Sequence, residues 1–336
     1  MNNKTIIDFL DEYNESFIKG LKSYRTYVKY RSVIQNQIKP FFGDLSINDL
    51  SKELILEYYG HIKLHYSSHT LNTNSIILKA GLNLLKQEGV IKENYALFIP
   101  REKPKPKAIP NLKRKEIERL LELFNEDKLY GCFFSFIYYT GTRRGEALAI
   151  VPSDIDFEKK TIRISKQITL RTRNGGSEIT NHTKTKKDRF ISVDDSLHKL
   201  IERQIKQNNR YKEKHSTYEN SGLLFQSKRG QCICNSELME HFKNIVSSIG
   251  HPELTLHDLR KLRAIHLTET KSLETARKEL GHSRGTTTIN FYSTVTTSQM
   301  TVLANHIDEV FGKYLEENHD FERASYHIYQ RLLSNL

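Results

Sequence analysis

The chain has 336 residues and carries 52 lysines and arginines against 40 aspartates and glutamates, a formal net charge of +12. That length accommodates two domains, each with its own core, and the positive excess favours a polyanionic partner. No run of ~18 apolar residues is present to span a bilayer, and the start Met1-Asn-Asn-Lys-Thr lacks the apolar core of a secretory signal, which excludes a membrane partner and predicts a cytoplasmic protein.

Residues 4 to about 90 carry apolar positions at three- and four-residue steps: Ile6, Phe9, Leu10, Tyr13 and Phe17, then Tyr24, Tyr27, Arg31, Ile34 and Ile38. Helices are also predicted from about Ser51 to His65 and from Ser68 to Gln87, with breaks at Pro40 to Gly43 and near Gly89. The expectation is a compact four-helix bundle over 1–99. Pro100 to Pro110 holds four prolines and four basic residues with almost nothing to bury, so 100–111 reads as an extended linker. Its charges suit either simple solubility or a strap lying along phosphates.

From Leu112 the pattern turns helical again, with Ile117, Leu120, Leu121 and Phe124 as a stripe and Cys132 to Tyr139 as a buried helix. Thr161 to Ile168 and Arg189 to Val193 alternate apolar and polar residues and read as strands, with a Gly-Gly-containing polar stretch between them. Helices follow at about Asp195 to Asn208, Asn235 to Ser248, Leu256 to Thr270 and Leu273 to Leu280. Beyond Tyr292, one amphipathic helix is predicted through Met300, Leu303, Ile307, Val310 and Tyr314, and a second over Phe321 to Leu333. Cys132, Cys232 and Cys234 form neither an even disulfide framework nor a zinc site and are read as reduced and structural.

Four segments carry chemistry. In Thr255-Leu-His-Asp-Leu-Arg260, Thr255 and Asp258 fit a capping box, so His257 and Arg260 share one helical face while Leu256, Leu259 and Leu262 anchor the adjoining one. In Thr140-Gly-Thr-Arg143-Arg-Gly-Glu146, Gly141 permits a tight turn, an arginine sits where a helix begins, and Glu146 is placed to hold it. Between the predicted strands, Lys184, Lys186 and Lys187 are candidates to donate a proton to a departing 5′-oxygen at a hairpin tip. Leu280-Gly-His282 reads as a helix end capped by Gly281, and Tyr292 lies ten residues further on. A phenol with a reference pKa of about 10 needs nearby positive charge or a base to react at neutral pH. Each segment alone is better explained by an ordinary surface or turn.

Taken together and in this order, these segments resemble the active-site boxes of the tyrosine recombinases, the phage integrase family. Asp154-Ile-Asp156-Phe, leading into the first strand, is similar to the family's sequence there. The resemblance implies a mainly α fold with a small antiparallel β-sheet: an N-terminal SAM-like core-binding bundle, an α+β catalytic domain over 112–298, and a helical tail over 299–336 that either docks on a neighbouring subunit or packs on its own domain. It implies that Tyr292 attacks the scissile phosphate to give a 3′-phosphotyrosyl intermediate. Arg143, chosen over Arg144 by motif register, and Arg260 would hold the non-bridging oxygens. Lys184 would protonate the leaving oxygen, His257 would assist proton transfer or orient the phosphate, and His282 would hydrogen-bond to it. No cofactor and no metal are implied; Asp154-x-Asp156 is better explained as a turn than as part of a two-metal site. The implied partners are double-stranded DNA with specific recombination sites and three further copies of the chain, in a tetramer that forms on DNA from monomers or weak oligomers.

The sequence departs from the family at Lys261-Leu-Arg263, where many members have His-Thr or His-Ser, and this predicts added basic charge near the site. The chain begins almost directly with the bundle, so a simple recombination site without distal arm sequences is expected. Two alternatives share these features: a type IB topoisomerase-like enzyme, and a non-catalytic DNA-binding regulator.

Overall fold

The computed structural model describes residues 4–103, 112–170, 177–180, 188–270 and 278–281. The chain divides into two compact units, Met1–Lys107 with Thr169–Glu178, and Ala108–Ile168 with Ile179–Leu336.

In the first unit, four helical rods start at a serine or threonine whose hydroxyl accepts a backbone N–H of the first turn: Thr5, Ser23, Ser51 and Ser67. The first rod is α1 (Ile6–Tyr13), a wider π-helical turn over Asn14–Ile18, and α2 (Lys19–Leu21). The second is α3 (Tyr24–Val33), another π-helical turn over Ile34–Ile38, and α4 (Lys39–Phe42). α5 (Lys52–His65) and α6 (Ser68–Gln87) complete the set. Ile6, Leu10, Ile34, Ile38, Ile55, Tyr58, Ile77 and Leu82 fill the core.

The π turns correct the predicted register. A turn that takes an extra residue rotates everything after it, so Phe17, expected inside, is 41% exposed, while Asn14 and Ile18 are buried. Asn14 uses its burial to donate from Nδ2 to the carbonyl of Tyr27, 3.2 Å away, which joins the first two rods. The second rod continues through Pro40, which directly follows the π-helical turn, and ends at Gly43, three residues later than the predicted break began. Residues 101–103, predicted as free linker, are tied down: Asn72 and Glu102 exchange hydrogen bonds of 2.8 and 3.1 Å, and Lys63 lies 2.9 Å from the Glu102 carboxylate.

The second unit contains α7 (Arg114–Glu126), α8 (Gly131–Thr140) and α9 (Arg144–Leu148), then β1 (Ile155–Asp156), β2 (Thr161–Ile164) and β5 (Arg189–Ser192), while β3 (Gln167–Leu170) and β4 (Ser177–Thr180) are each divided between the two units. α10 (Asp195–Lys214), α11 (Asn235–Ser248) and α12 (Leu256–Thr270) follow. α8 is buried along nearly its whole length and packs with α7 and α12 into one aromatic-rich core that includes Phe124, Phe133, Phe134, Phe225 and Phe242.

The predicted strand 161–168 is two strands. β2 is the centre of an antiparallel sheet of order β1-β2-β5, with Ile162 opposite Ile191 and Ile164 opposite Arg189. β3 pairs instead with β4, which the glycine-containing composition of that stretch concealed. The chain changes partner at Ser165–Lys166, and Lys166 is held there by an ion pair of 2.9 Å to Asp154. The interval between the two predicted strands thus contains a strand pair of its own, and Lys184 lies outside the described residues. Asp154 also accepts from the backbone N–H of Val151 at 3.0 Å, and Asp156 from that of Lys159 at 2.8 Å, so both aspartates serve the turn.

Cys132 is buried, whereas Cys234 is exposed at the start of α11, so the structural role expected of all three cysteines does not extend to it. Among the described residues, no helix is long and apolar enough to cross a membrane.

Candidate active site

α8 ends at Gly141 in a left-handed conformation (φ +61°). Thr140 donates its hydroxyl to the carbonyl of Phe136 at 2.6 Å and lies 2.8 Å from the Thr142 hydroxyl, which shapes the turn into α9. A Cβ on Gly141 would stand 2.3 Å from Leu280 Cδ2. Gly141→Ala is therefore expected to destabilise the protein by about 1–2 kcal/mol, from left-handed strain plus displacement of Leu280, measurable by chemical denaturation.

This turn places Arg143 at the N-terminus of α9, where Glu146 reaches back to it as the sequence predicts. Glu146 Oε2 accepts the Arg143 backbone N–H at 2.9 Å, and Oε1 accepts from Arg143 Nη1 at 2.7 Å. The carboxylate is fully buried and holds a second cation that the sequence did not disclose: Arg189, whose Nη2 donates to Oε2 at 2.7 Å. Burial alone would push the Glu146 carboxyl up. The hydrogen bond and charge of Arg189, followed by those of Arg143, outweigh burial and hold it down at about 2.

Half of the expected capping box forms at the start of α12: Asp258 Oδ2 accepts from Thr255 N at 2.8 Å and from the Thr255 hydroxyl at 2.6 Å, while the Asp258 N–H goes to the Thr255 carbonyl. Leu256, Leu259 and Leu262 are buried as predicted, and His257 is exposed. Arg260 differs from the expectation that it would face a ligand beside His257. It is 3% exposed and donates from Nη1 to the carbonyl of Gly141 and from Nη2 to that of Leu280, both at 2.7 Å. Burial, then the charge of Arg143, draws its guanidinium down to about 9, still charged at neutral pH. Lys261 and Arg263 do not add the bare charge the sequence suggested, because Lys261 pairs with Asp258 at 2.6 Å and Arg263 lies 4.0 Å from Glu279.

The turn residues 142–145 line an open cleft of about 260 Å³ together with Met239, Thr255, Leu256 and His257. Arg143 and His257 thus meet at one cleft, with Arg260 buried beside it. Although the residue is exposed, partial loss of hydration against the cleft wall, then the charges of Arg260 and Lys261, lower the His257 pKa from its usual 6.5. The imidazole is therefore neutral at pH 7 and able to accept a proton. Since the unfolded state takes up that proton first, this residue makes the fold less stable as pH falls below 6.5. A histidine NMR titration is expected to place His257 below that value, and a pKa above it would contradict the geometry.

Three guanidinium groups around one carboxylate leave two positive charges beside an open cleft. That suits an anion with non-bridging oxygens, such as a phosphodiester. Lys184, His282 and Tyr292 lie outside the described residues, as do the rival lysines Lys186 and Lys187 and the tail 299–336. Among the described residues, no group of three or more His, Cys, Asp and Glu side chains is arranged to hold a metal ion.

The profile of the phage integrase family matches residues 110–299, more than half of the sequence and the whole of the cleft just described. The chain belongs to the phage integrase family. An N-terminal SAM-like domain of phage integrases matches residues 5–63. Over 333 aligned residues this integrase-family chain is 27% identical to a tyrosine recombinase XerC-like protein of Caldanaerobacter subterraneus, covering 91% of this chain and 83% of that one. It is 22% identical to the ICEBs1 integrase of Bacillus subtilis, covering 84% and 77%. In fold it is similar to the Tn1549 transposon integrase in complex with transposon right-end DNA (TM-score 0.73, 20% identity, covering 91% and 99%). It is also similar to a lambda integrase in a tetramer bound to a Holliday junction (TM-score 0.61, 16% identity, covering 86% and 78%). As a member of this family the protein is a site-specific DNA recombinase of the tyrosine type, an enzyme class that cuts and rejoins DNA through a phosphotyrosine intermediate.

Proposed function

We propose that Tyr292 is the nucleophile of this recombinase and that the cleft between Arg143 and His257 receives the scissile phosphate. The observation that carries this reading is the convergence at one cleft of an arginine held by a buried glutamate and a neutral histidine, with a second buried arginine beside it. The Tyr292 oxygen forms a bond to phosphorus as the bond to the 5′-oxygen breaks, and Lys184 supplies the proton that the departing oxygen takes up. Arg143 stabilises the extra charge on the equatorial oxygens, and the buried Arg260 adds its positive charge from behind the cleft. His257 takes or passes the phenolic proton, and His282 hydrogen-bonds to the phosphate. The free 5′-hydroxyl of one strand then attacks the phosphotyrosine on a partner duplex.

Residues 1–99 would bind the core DNA and 100–111 would lie along its phosphates. Residues 112–298 would catalyse, and 299–336 would dock on the next subunit of a tetramer assembled on two sites. Similarity to integrases of a transposon and of ICEBs1 supports integration or excision of a mobile element in the cytoplasm. The same chemistry in a monomer acting on arbitrary DNA would be that of a type IB topoisomerase.

The two are separated by mixing differently labelled duplexes that carry a site selected by the protein from random DNA. Joined products of both labels are expected, formed by an assembly of four chains. Relaxation of supercoils by a monomer, with no joined product, would overturn the recombinase assignment.

A further inference from the structure

We propose that Arg189 is a positioning residue that links the phosphate-binding arginine to the segment leading to the nucleophile; this rests on the roles given above to Arg143 and Tyr292. Arg189 opens β5 and its side chain is 8% exposed. Its fork acts in two directions. Nη2 holds Glu146 Oε2 at 2.7 Å, while Nε donates to the carbonyl of Glu279 at 3.1 Å. Gly281 (φ +67°) lies against the same side chain so closely that a Cβ there would stand 2.9 Å from Arg189 Cδ. The residue after Gly281 is His282, and Tyr292 is ten beyond that.

A buried arginine serving stability alone is replaceable by apolar side chains of similar volume, often without loss. Here the guanidinium does two things that packing cannot. Sharing Oε2 with the Arg143 backbone N–H, it leaves the Arg143 guanidinium bound through Nη1 to Oε1 alone, so the charge of Glu146 is divided between two cations and Arg143 keeps attraction for a phosphate. By binding the Glu279 carbonyl it fixes the helix end, and Arg260 fixes the next carbonyl, that of Leu280, at 2.7 Å. One side chain thus sets both the cation that receives the phosphate and the point from which the nucleophile's segment departs. Lysine has the charge but not the two-directional fork.

The test compares Arg189→Lys, Arg189→Met, Glu146→Gln and Glu146→Gln/Arg189→Met with the parent chain, below their unfolding temperatures. One readout is single-turnover covalent adduct formation on saturating DNA; the other is DNA affinity. Arg189→Lys is expected to slow adduct formation about 10- to 100-fold while changing the DNA dissociation constant by less than about threefold. The double variant is expected to be no slower than the slower single one. A parent-like rate in Arg189→Lys, with only a lowered unfolding temperature, would reduce Arg189 to a structural part and overturn the proposal. An equal loss in affinity and rate would overturn it too. Amide exchange gives a reading independent of activity: the Gly281 N–H, bonded to the Lys278 carbonyl at 3.2 Å, is expected to exchange at least about tenfold faster in Arg189→Lys, and unchanged exchange refutes the link to the helix end. Should the parent chain itself form no adduct, the nucleophile assignment falls, and the exchange result alone decides whether Arg189 holds this segment.

Discussion

Tyr292→Phe is expected to bind the recombination site as tightly as the parent chain while forming no covalent adduct and no joined product. The phenyl ring keeps the bulk of tyrosine but has no oxygen to bond to phosphorus, so the first step has no nucleophile. Removing a nucleophile that acts as one unit with its partners lowers rates by about 10⁴- to 10⁶-fold. The phosphate contact assigned to Arg143 and the buried charge of Arg260 behind it remain, so affinity, which DNA-binding proteins draw largely from such contacts, stays within about threefold. Gel-shift titration and denaturing electrophoresis of the same samples separate the two effects. An adduct formed by Tyr292→Phe at the parent rate would remove this tyrosine from the chemistry.

Glu146→Gln is expected to cause the second large effect. The carboxylate is fully buried between Arg143 and Arg189, and the amide leaves two guanidinium groups facing each other without a counter-charge, with Arg260 a third cation nearby. Breaking a buried pair in this way destabilises proteins by about 3–5 kcal/mol. The pH dependence gives an independent check. The Glu146 carboxyl lies at about 2 in the fold against 4.5 without its partners, so its contribution is fully present above pH 4.5 and is lost as pH falls toward 2. That difference corresponds to about 3 kcal/mol, and the substitution is expected to flatten this part of the acid-denaturation profile. Destabilisation below about 1 kcal/mol, with an unchanged acid limb, would show that the two arginines do not depend on this carboxylate.

Features with a local cause were legible in the sequence. Ser51, Ser67 and the Thr255/Asp258 pair mark helix starts because the groups that satisfy free N–H donors lie within three residues of them. Glu146 holding Arg143 belongs to the same class. Features settled at long range were not. The π turns at Asn14–Ile18 and Ile34–Ile38 carry no compositional mark, so the spacing puts Phe17 inside and gives no sign of the buried Asn14. The break between β2 and β3 depends on which strand each finds as partner, and alternation through Ser165 and Lys166 hides it. Arg189 reads as the polar first residue of a strand. Its partners, Glu146 and Glu279, are 43 and 90 residues away, so no spacing rule could have found it. The burial of Arg260 is of the same kind, since the carbonyls that receive it belong to turns at Gly141 and Leu280.

The central claim is that this cationic cleft serves a tyrosine that becomes covalently joined to DNA. It is tested most directly by trapping the protein on a duplex with the selected site, nicked so that the released 5′-hydroxyl fragment diffuses away, followed by proteolysis and mass spectrometry of the DNA-linked peptide. A single modified peptide is expected, with the 3′-phosphate of the DNA on the oxygen of Tyr292. Attachment through any other residue, or no attachment on a site that the protein binds, would contradict the account.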